Sequence, residues 1–250
     1  MTRLLKSWRR RFFREEIFTP GQPEAIAAAP REASFVWRAL GLRRGQRVLD
    51  LCCGTGRHSA ALARKGALVL GVDSTPEYLA AAKRLAGPRL SFRLGDMRNL
   101  PFHAEFDAAI NLWTSFGYFA DPRDDLRTLR KVRNALRPGG LFLIDLMNAA
   151  WLRRHFQPKK WQRRGDGSYL LEDSRLVEGR DPRVESEWTI LRKGRAPARA
   201  MLMVRQYDWR RLSTILKQAG LRPVRRWGSL DGLTLTKDSN RLVVLSRRPR

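Results

Sequence analysis

The sequence predicts an α/β fold: a doubly wound, mostly parallel seven-stranded sheet with a small antiparallel β insertion after the fifth strand. Short apolar runs alternate with helix-forming segments between residues 46 and 148, and the alternation returns between 207 and 250. The stretch between them alternates with period two and carries turn residues, which is typical of an antiparallel meander. With 43% hydrophobic residues, the 250-residue chain can fill a sizeable core.

Turn residues set the predicted element boundaries. Gly45 precedes the first strand, and Pro76 suits the first turn of a helix. Residues 137–140, with the sequence RPGG, close one helix, and Gly220 ends the last one. The predicted strands are 46–51, 67–72, 90–94, 106–112, 141–146, 222–227 and 241–247, and the predicted helices are 31–41, 57–65, 76–85, 122–136 and 208–219.

The pattern changes after the fifth strand. Residues 149–164 are basic and aromatic, and 168–206 predict three strands separated by turns at 179–182 and 193–195. Because this insertion follows the carboxyl end of a core strand, we expect it to cover the ligand edge of the sheet and to decide substrate choice. The predicted division is an N-terminal helical cap at 1–45, a core at 46–148 and 207–250, and a substrate-side insertion at 149–206.

Two N-terminal stretches belong to the predicted cap. TRLLKSWRRRFFREE is basic and amphipathic, which is compatible with a presequence or a membrane-surface helix. Glu15 and Glu16, and the lack of a small-residue cleavage pattern, favour a helix packed on the domain. GQPEAIAAAP at 21–30 is the one linker-like stretch.

The charge of the chain is strongly positive. Fifty Lys and Arg residues, 41 of them Arg, stand against 24 Asp and Glu, which gives a formal net charge of +26. Such a field attracts polyanions, with clusters at 9–11, 153–164 and 247–250, so a nucleic-acid partner is possible. The arginines also occur along the whole chain, which favours a general compositional bias.

The cysteines and the hydropathy bear on location. Cys52 and Cys53 are adjacent and unsuited to a disulfide, so the sequence predicts a reducing, cytoplasmic compartment. The longest apolar run, LFLIDLM at 141–147, is far shorter than the ~20 residues of a membrane helix. We therefore expect no membrane span. The sequence leaves the oligomeric state open.

The most informative motif is VLDLCCGTGRH at 48–58, followed by a second acid, Asp73. A strand that ends in a carboxylate and opens into a glycine turn is typical of a nucleotide site, and a second acid suits two ribose hydroxyls. A dinucleotide would place phosphates beside Asp50, whereas S-adenosylmethionine carries an ammonium and a sulfonium. The third glycine of a dinucleotide fingerprint is Ser59 here. Both observations favour S-adenosylmethionine.

Several further blocks agree with this prediction. They are GVDSTPEYL at 71–79, LGDMRNLPF at 94–102, FDAAINLWTSFGYF at 106–119, LRPGGLFLIDLMN at 136–148 and WGSLDGLTLTKDSNRLVVLSR at 227–247. In this order the chain resembles the class I S-adenosylmethionine-dependent methyltransferases, and within them a bacterial group of similar length with undefined substrate. The resemblance implies a Rossmann-like core that binds S-adenosylmethionine.

The resemblance also implies the cofactor residues. The first acid and the loop glycines would hold the methionine end, and the second acid the ribose. The third acid and the following methionine would hold the adenine, and the end of the fourth strand would lie beside the methyl donor. The matching residues are Asp50, Cys52, Gly54, Gly56, Asp73, Ser74, Asp96, Met97, Asn111 and Leu112. Cys52 stands where the family usually has glycine, and each acid could instead cap the turn that follows it.

The catalytic residues are not assigned by the sequence. Methyl transfer needs a base only when the acceptor is protonated, and Tyr118, Tyr207 and Asp231 are the candidates. Phe116 and Phe119 could be core or pocket wall. His58 on the first turn of a helix is expected to be structural or a cofactor contact. The Cys and His residues have no metal-ligand spacing, so no metal is predicted.

Three functions stay open. The first is a methyltransferase that acts on a small or medium organic acceptor, and the second is one that acts on RNA or another polyanion. The third is a non-catalytic module that only binds the cofactor. The fourth strand ends in Asn111, Leu112 and Trp113, without the Asn/Asp-Pro-Pro-aromatic signature of amide and adenine-amine methyltransferases.

Overall fold

A computed structural model of the chain describes Trp8 and residues 11–13, 17–18 and 23–250. The helices are α1 (Pro23–Ala39), α2 (Arg57–Lys65), α3 (Pro76–Lys83), α4 (Pro122–Ala135), α5 (Ala149–Arg154) and α6 (Trp209–Gln218). A short 3-10 helix spans Met97–Asn99. The strands are β1 (Arg47–Leu51), β2 (Leu68–Asp73), β3 (Leu90–Leu94), β4 (Phe106–Asn111), β5 (Leu136–Met147), β6 (Lys159–Arg163), β7 (Tyr169–Val177), β8 (Arg183–Leu191), β9 (Ala198–Arg205), β10 (Arg222–Trp227) and β11 (Arg241–Arg247).

The main sheet has the strand order β10-β11-β5-β4-β1-β2-β3. Strands β1 to β5 pair in parallel, and β11 is antiparallel to both β5 and β10. The chain runs outward from β1 through β2 to β3 and then returns to place β4 on the other side of β1. This reversal opens a crevice at the carboxyl ends of β1 and β4, where ligands bind in such sheets. The predicted seven-stranded sheet is confirmed.

Helices cover both faces of this sheet, as parallel strands require. On one face, Leu129 of α4 and Leu212 of α6 pack over the strands in a buried cluster. On the other face, Val36 of α1 and Leu62 of α2 form a second buried cluster with β1. All four side chains are fully buried. The strand ends that carry the predicted site are therefore fixed by packing from both sides.

Capping residues fix where two of the helices begin. The Asp121 carboxylate accepts a hydrogen bond from the Arg123 amide at 2.9 Å, and Pro122 supplies the first turn of α4. The Asp208 carboxylate accepts from the Arg211 amide at 2.9 Å and starts α6. Both helices thus begin at the carboxyl edge of the sheet.

The second sheet consists of β6 to β9, antiparallel throughout. It follows the fifth strand, so the predicted insertion is confirmed. Trp8 and Phe12 are buried against Leu170 and Ile190 of this sheet. The described part of the N-terminus therefore packs on the second sheet, while most of the predicted amphipathic segment lies outside the described residues. The domain boundaries at 45, 148 and 206 stay a prediction.

Three elements differ from their predictions. Helix α1 begins at Pro23, so most of the linker-like stretch is helical, because alanine is a strong helix former even with Pro30 inside. Strand β6 was missed since its five residues are all exposed and show no alternation of burial. Strand β5 begins at Leu136, because Leu136 pairs with Phe106 before the RPGG turn shifts the register. No described helix is long and apolar enough to cross a membrane.

Candidate functional site

Four strand ends bring the predicted residues to one edge of the sheet. Asp50 lies near the end of β1, Asp73 ends β2 and Asn111 ends β4, while Asp96 follows β3. The first three side chains are buried. A parallel sheet gathers the carboxyl ends of its strands, so residues far apart in sequence become neighbours here.

The Asp50 carboxylate is buried and accepts a hydrogen bond from the Ser59 hydroxyl at 2.5 Å. Burial raises the pKa of Asp50, although the Ser59 hydrogen bond acts in the opposite direction. Ser59 stands where a dinucleotide site would have its third glycine. Its side chain here orients an acid instead of leaving room for a pyrophosphate.

The loop between β1 and α2 has an unusual backbone. Cys52, Gly54 and Gly56 have φ values of 58°, 56° and 81°, all left-handed. Glycine adopts this conformation freely, but at Cys52 it costs about 1 to 2 kcal/mol. A Cβ on Gly56 would lie 2.6 Å from the Phe92 ring. The loop is therefore tightly packed at Gly56, and the Cys53 amide donates to the Val72 carbonyl near the end of β2.

Asp73 ties this loop to the second strand. One carboxylate oxygen accepts from the Gly54 amide and the other from the Thr75 amide, both at 2.9 Å. Burial raises the pKa of Asp73, and these hydrogen bonds oppose the rise. The bond to Thr75 is the turn-capping role that the sequence left open. The bond to Gly54 shows that Asp73 also shapes the loop.

A small cavity of about 30 Å³ lies between the loop, β2 and the 3-10 helix. Its lining residues are Cys52, Val72, Ser74, Gly95, Asp96, Met97 and Phe119. Four of these were predicted as cofactor residues. The cavity holds about one water molecule, so an adenine ring would require side chains at its mouth to move.

Arg98 contacts two residues that line this cavity, Asp96 and Phe119. Its amide and guanidinium donate to the Asp96 carboxylate at 2.6 to 3.1 Å. The same guanidinium donates to Asp124 at 2.8 Å and lies 4.6 Å from the centroid of the Phe119 ring. Asp96 thus caps the 3-10 helix, as the alternative interpretation proposed. An ionised carboxylate can accept about four hydrogen bonds, and Arg98 already donates four, so Asp96 could accept from another donor only if Arg98 moved away.

The turn after β4 is strained. Asn111 is buried and donates to the Leu51 carbonyl at 3.2 Å, while its own Oδ1 has no hydrogen-bond partner. Leu112 is buried, and Trp113 and Thr114 then adopt φ values of 58° and 57°. Non-glycine residues in this conformation cluster at functional sites, because only surrounding structure can hold them there.

The buried Asp145 on β5 supplies that support. Its carboxylate accepts from the Trp113 amide at 2.9 Å and from Arg241 Nε at 2.8 Å. Its carbonyl accepts from the Thr114 amide at 2.9 Å. The strained turn is therefore held from the neighbouring strand.

A charged cluster that the sequence analysis missed lies beside this turn. Glu32 of α1 accepts from the Trp113 indole at 3.0 Å and lies 2.6 Å from His58 Nε2. Burial raises the pKa of Glu32, but the contacts with His58, Trp113 and Arg57 lower it overall. His58 is thus a structural partner of Glu32, as expected.

Arg57 belongs to the same cluster. Its guanidinium stacks 4.5 Å above the Trp113 ring, and its buried Nε has no hydrogen-bond partner. Burial lowers the pKa of Arg57, while Glu32 and Asp50 oppose the shift. The position of Arg57 directly after the glycine turn was the one local signal for it. Glu32 gave none, since its partners are 26 and 81 residues away.

Arg205 at the end of β9 clamps the loop at 116–120. Its amide donates to the Gly117 carbonyl at 2.8 Å, and Nη2 donates to the Phe119 carbonyl at 3.1 Å. Its guanidinium pairs with the buried Asp125 at 2.5 Å and with Asp181. The second sheet is therefore joined to the loop that lines the small cavity.

The three catalytic candidates lie in different surroundings. The Tyr118 ring packs 5.5 Å from Phe13, and burial raises the pKa of Tyr118, with Cys52 adding to the rise. Tyr207 is buried and donates to Asp125 at 2.7 Å, and burial raises its pKa as well. Asp231 pairs with Arg31 at 2.9 Å at the surface. Tyr118 is therefore the candidate with an electrostatic contact to the loop.

Two other predicted features can be placed. Phe116 and Phe119 are both core residues, and Phe119 also lines the small cavity. Within the described ranges, no group of three or more His, Cys, Asp or Glu side chains could hold a metal ion.

Part of the chain is similar in sequence to known methyltransferases. Residues 48–140 match the family model described as a methyltransferase domain. The Bacillus subtilis (strain 168) protein YqeM, named as a methyltransferase, is 33% identical over 126 residues, 49% of this chain and 51% of that protein. A glycine/sarcosine N-methyltransferase from Parasynechococcus marenigrum is 35% identical over 127 residues, 49% of this chain and 45% of that protein. The chain spans about half the length of these relatives.

Solved structures agree over a longer stretch. An S-adenosylmethionine-dependent methyltransferase from Clostridium acetobutylicum aligns with a TM-score of 0.78 at 20% identity, covering 92% of this chain and 96% of that one. The sugar N-methyltransferase KedS8 from Streptoalloteichus aligns with a TM-score of 0.68 at 24% identity, covering 92% and 90%. At these identities the match shows the fold. Residues 48–140 are thus similar to a methyltransferase domain, and the chain has the fold that these solved structures share.

Proposed function

We propose that this protein transfers a methyl group from S-adenosylmethionine to a small or medium organic acceptor by in-line displacement. The observation that carries the proposal is the convergence of Asp50, Asp73 and Asp96 around a left-handed loop at one sheet edge. Relatives named as glycine/sarcosine and sugar N-methyltransferases support a small acceptor.

The charges of the site fit the amino-acid end of this cofactor. Asp50 is a buried acid that suits an ammonium, and Arg57 has a buried Nε without a partner, which suits a carboxylate. Asp50 and Arg57 influence each other electrostatically. The ammonium and the carboxylate of the cofactor would therefore each lie near a side chain of opposite charge, Asp50 and Arg57.

The remaining predicted residues fit the nucleoside end. We propose that Asp73 accepts hydrogen bonds from the ribose, with Ser74 beside it. Asp96 and Met97 would hold the adenine, once Phe119, which lines the small cavity, and Arg98, which binds Asp96, move to widen it. Asn111 and Leu112 would lie beside the methyl donor, where the buried Oδ1 of Asn111 has no other partner.

The cofactor, when bound, supplies a methyl group on a sulfonium leaving group. The protein then has to align the acceptor and exclude water, and alignment alone can recover roughly 7 to 11 kcal/mol of a barrier. Tyr118 stays protonated near neutral pH, since burial raises its pKa, so it can orient an acceptor but not deprotonate one. The Tyr207 proton is already bound to Asp125. We infer that the acceptor arrives as a neutral nucleophile.

We further propose that the second sheet and the residues around it, 149–206, select the acceptor. Arg205 joins this sheet to the loop that carries Tyr118 and Phe119. Substrate contacts in the second sheet would therefore reach the cofactor side directly. Neither Cys52 nor Cys53 is in a disulfide, which supports the predicted reducing, cytoplasmic compartment.

The net charge of +26 favours RNA or another polyanion as the second candidate acceptor. That alternative predicts that the clusters at 9–11 and 153–164 meet beside the cofactor. Residues 9 and 10 lie outside the described residues. Arg153 and Arg154 lie near Glu178 and Asp238, at 3.6 and 3.8 Å, so part of the second cluster has acidic neighbours.

The test is a transfer assay with radiolabelled S-adenosylmethionine, run in parallel on a metabolite extract and on total small RNA. The proposal expects label in the metabolite fraction, and none with Asp50→Asn. Label in the RNA fraction alone would replace the small acceptor by a nucleic acid. Cofactor binding without label in either fraction would favour a module that only binds the cofactor.

A further inference from the structure

A groove of about 450 Å³ opens beside α4 and α6, near the turn that joins β7 to β8. We call it the arginine groove, because five arginines line it: Arg123, Arg180, Arg205, Arg210 and Arg211. Leu126 and Ile215 give it an apolar floor. None of the predicted cofactor residues lines it, and its volume is typical of small-molecule pockets.

The charge of the arginine groove is not balanced from within. Asp181 is the one acid among its lining residues, and Arg205 already binds that carboxylate. The Arg205 guanidinium also pairs with the buried Asp125, so two carboxylates neutralise its charge. Asp181 and Arg205 therefore offer little to a ligand. Arg123 pairs with Asp121 at 2.6 Å, so Arg180, Arg210 and Arg211 set the potential of the groove.

Those other arginines differ in what they do. Arg211 donates to the carbonyls of Gly179 and Arg180 at 3.1 Å, which fixes the turn between β7 and β8. Arg180 and Arg210 are exposed, and neither side chain has a hydrogen-bond or ion-pair partner in the described part of the chain. A fixed turn thus brings Arg180 to the same groove that Arg210 of α6 lines.

We propose that the arginine groove is a binding site for a compact phosphorylated molecule, held through Arg180 and Arg210. Guanidinium groups donate paired hydrogen bonds to phosphate oxygens, and two of them that line one groove suit a ligand with two or more negative charges. The floor of Leu126 and Ile215 accommodates an apolar part of such a molecule. The site does not depend on the proposed methyl transfer.

The test uses inorganic pyrophosphate and a twelve-nucleotide single-stranded RNA as probes, with binding measured by titration calorimetry. The variant is Arg180→Gln with Arg210→Gln. The matched control is Arg84→Gln with Arg89→Gln, which removes the same charge from exposed positions between α3 and β3. Pyrophosphate affinity should fall by roughly tenfold or more in the variant and stay unchanged in the control, since paired charge-assisted hydrogen bonds are lost.

Three results would overturn the proposal. They are no pyrophosphate binding to the unaltered protein, an equal loss in the control, and RNA that binds more tightly than pyrophosphate with the same dependence on Arg180 and Arg210. The second result would assign binding to general charge, and the third would assign the groove to nucleic acid. Affinity for S-adenosylmethionine should be the same in all three proteins, which separates this site from the cofactor site.

Discussion

Replacing Asp50 by asparagine isolates the charge on which the choice of cofactor depends. The amide oxygen of asparagine can still accept the Ser59 hydroxyl, which lies 2.5 Å from the acid, so the fold should survive. What is lost is the negative charge that we propose faces the cofactor ammonium. A hydrogen bond to a charged group contributes about 1.5 to 3 kcal/mol, so the Kd for S-adenosylmethionine should rise roughly 10- to 150-fold.

The assay is titration calorimetry with S-adenosylmethionine, S-adenosylhomocysteine and methylthioadenosine. The first two carry the amino-acid end and should both weaken, whereas methylthioadenosine lacks it and should bind Asp50→Asn as well as the original protein. Asp173→Asn, a charge removal on the exposed part of β7, is the matched control. Equal weakening of all three ligands, or none at all, would refute the role given to Asp50. Since burial raises the pKa of Asp50, affinity for the first two ligands should also fall as the pH is lowered.

Three further predictions test the surroundings of the site. Asp73→Asn should weaken the binding of all three of these ligands by roughly tenfold or more. Each ligand contains the ribose, and an amide side chain cannot accept from both the Gly54 and the Thr75 amides as the carboxylate does. Unchanged affinity in calorimetry would remove Asp73 from the site. Gly117→Ala should lower the free energy of unfolding, measured in urea, by at least about 1 to 3 kcal/mol. The φ of Gly117 is +91°, and the new Cβ would lie 2.8 Å from the backbone oxygen of Arg205. Unchanged stability would contradict the clamped loop. Burial raises the pKa of Asp125 from 3.8 to about 6, so between these values the folded state keeps a proton that the unfolded state has lost. The free energy of unfolding should therefore fall by roughly 2 to 3 kcal/mol as the pH rises through that window. If the free energy of unfolding of Asp125→Asn depended on pH with the same slope, this prediction would be wrong.

The hydrophobic pattern of a short stretch of sequence predicted the strands whose own residues determine their burial. The apolar runs of β1, β2 and β4 are mostly buried on both faces, so their sequences are mostly apolar, and their predicted positions agree with the structure within about one residue. Strand β6 is exposed along its length and is a strand because β7 pairs with it. Nothing in its own five residues carries that information.

The same division holds for the site. The glycine turn and its flanking acids are a local motif, so Asp50 and Asp73 could be proposed from spacing alone. The clamp that Arg205 makes with Gly117 joins residues 88 positions apart, and Glu32 reaches Trp113 across 81. Such contacts depend on how α1 and the second sheet pack, which no short window of sequence contains.

The sequence by itself therefore determined the order of most strands and helices, the glycine turn, and the acids on which the proposed cofactor class rests. Each of these is fixed by a short run of residues and its own hydrogen bonds. Tertiary structure decided which side chains surround that turn: Arg57 stacked on Trp113, Asp96 held by Arg98, and Tyr207 bound to Asp125 rather than free to act as a base. The reason is physical, since a buried charge must find a partner, and only the packed chain decides which partner lies within reach.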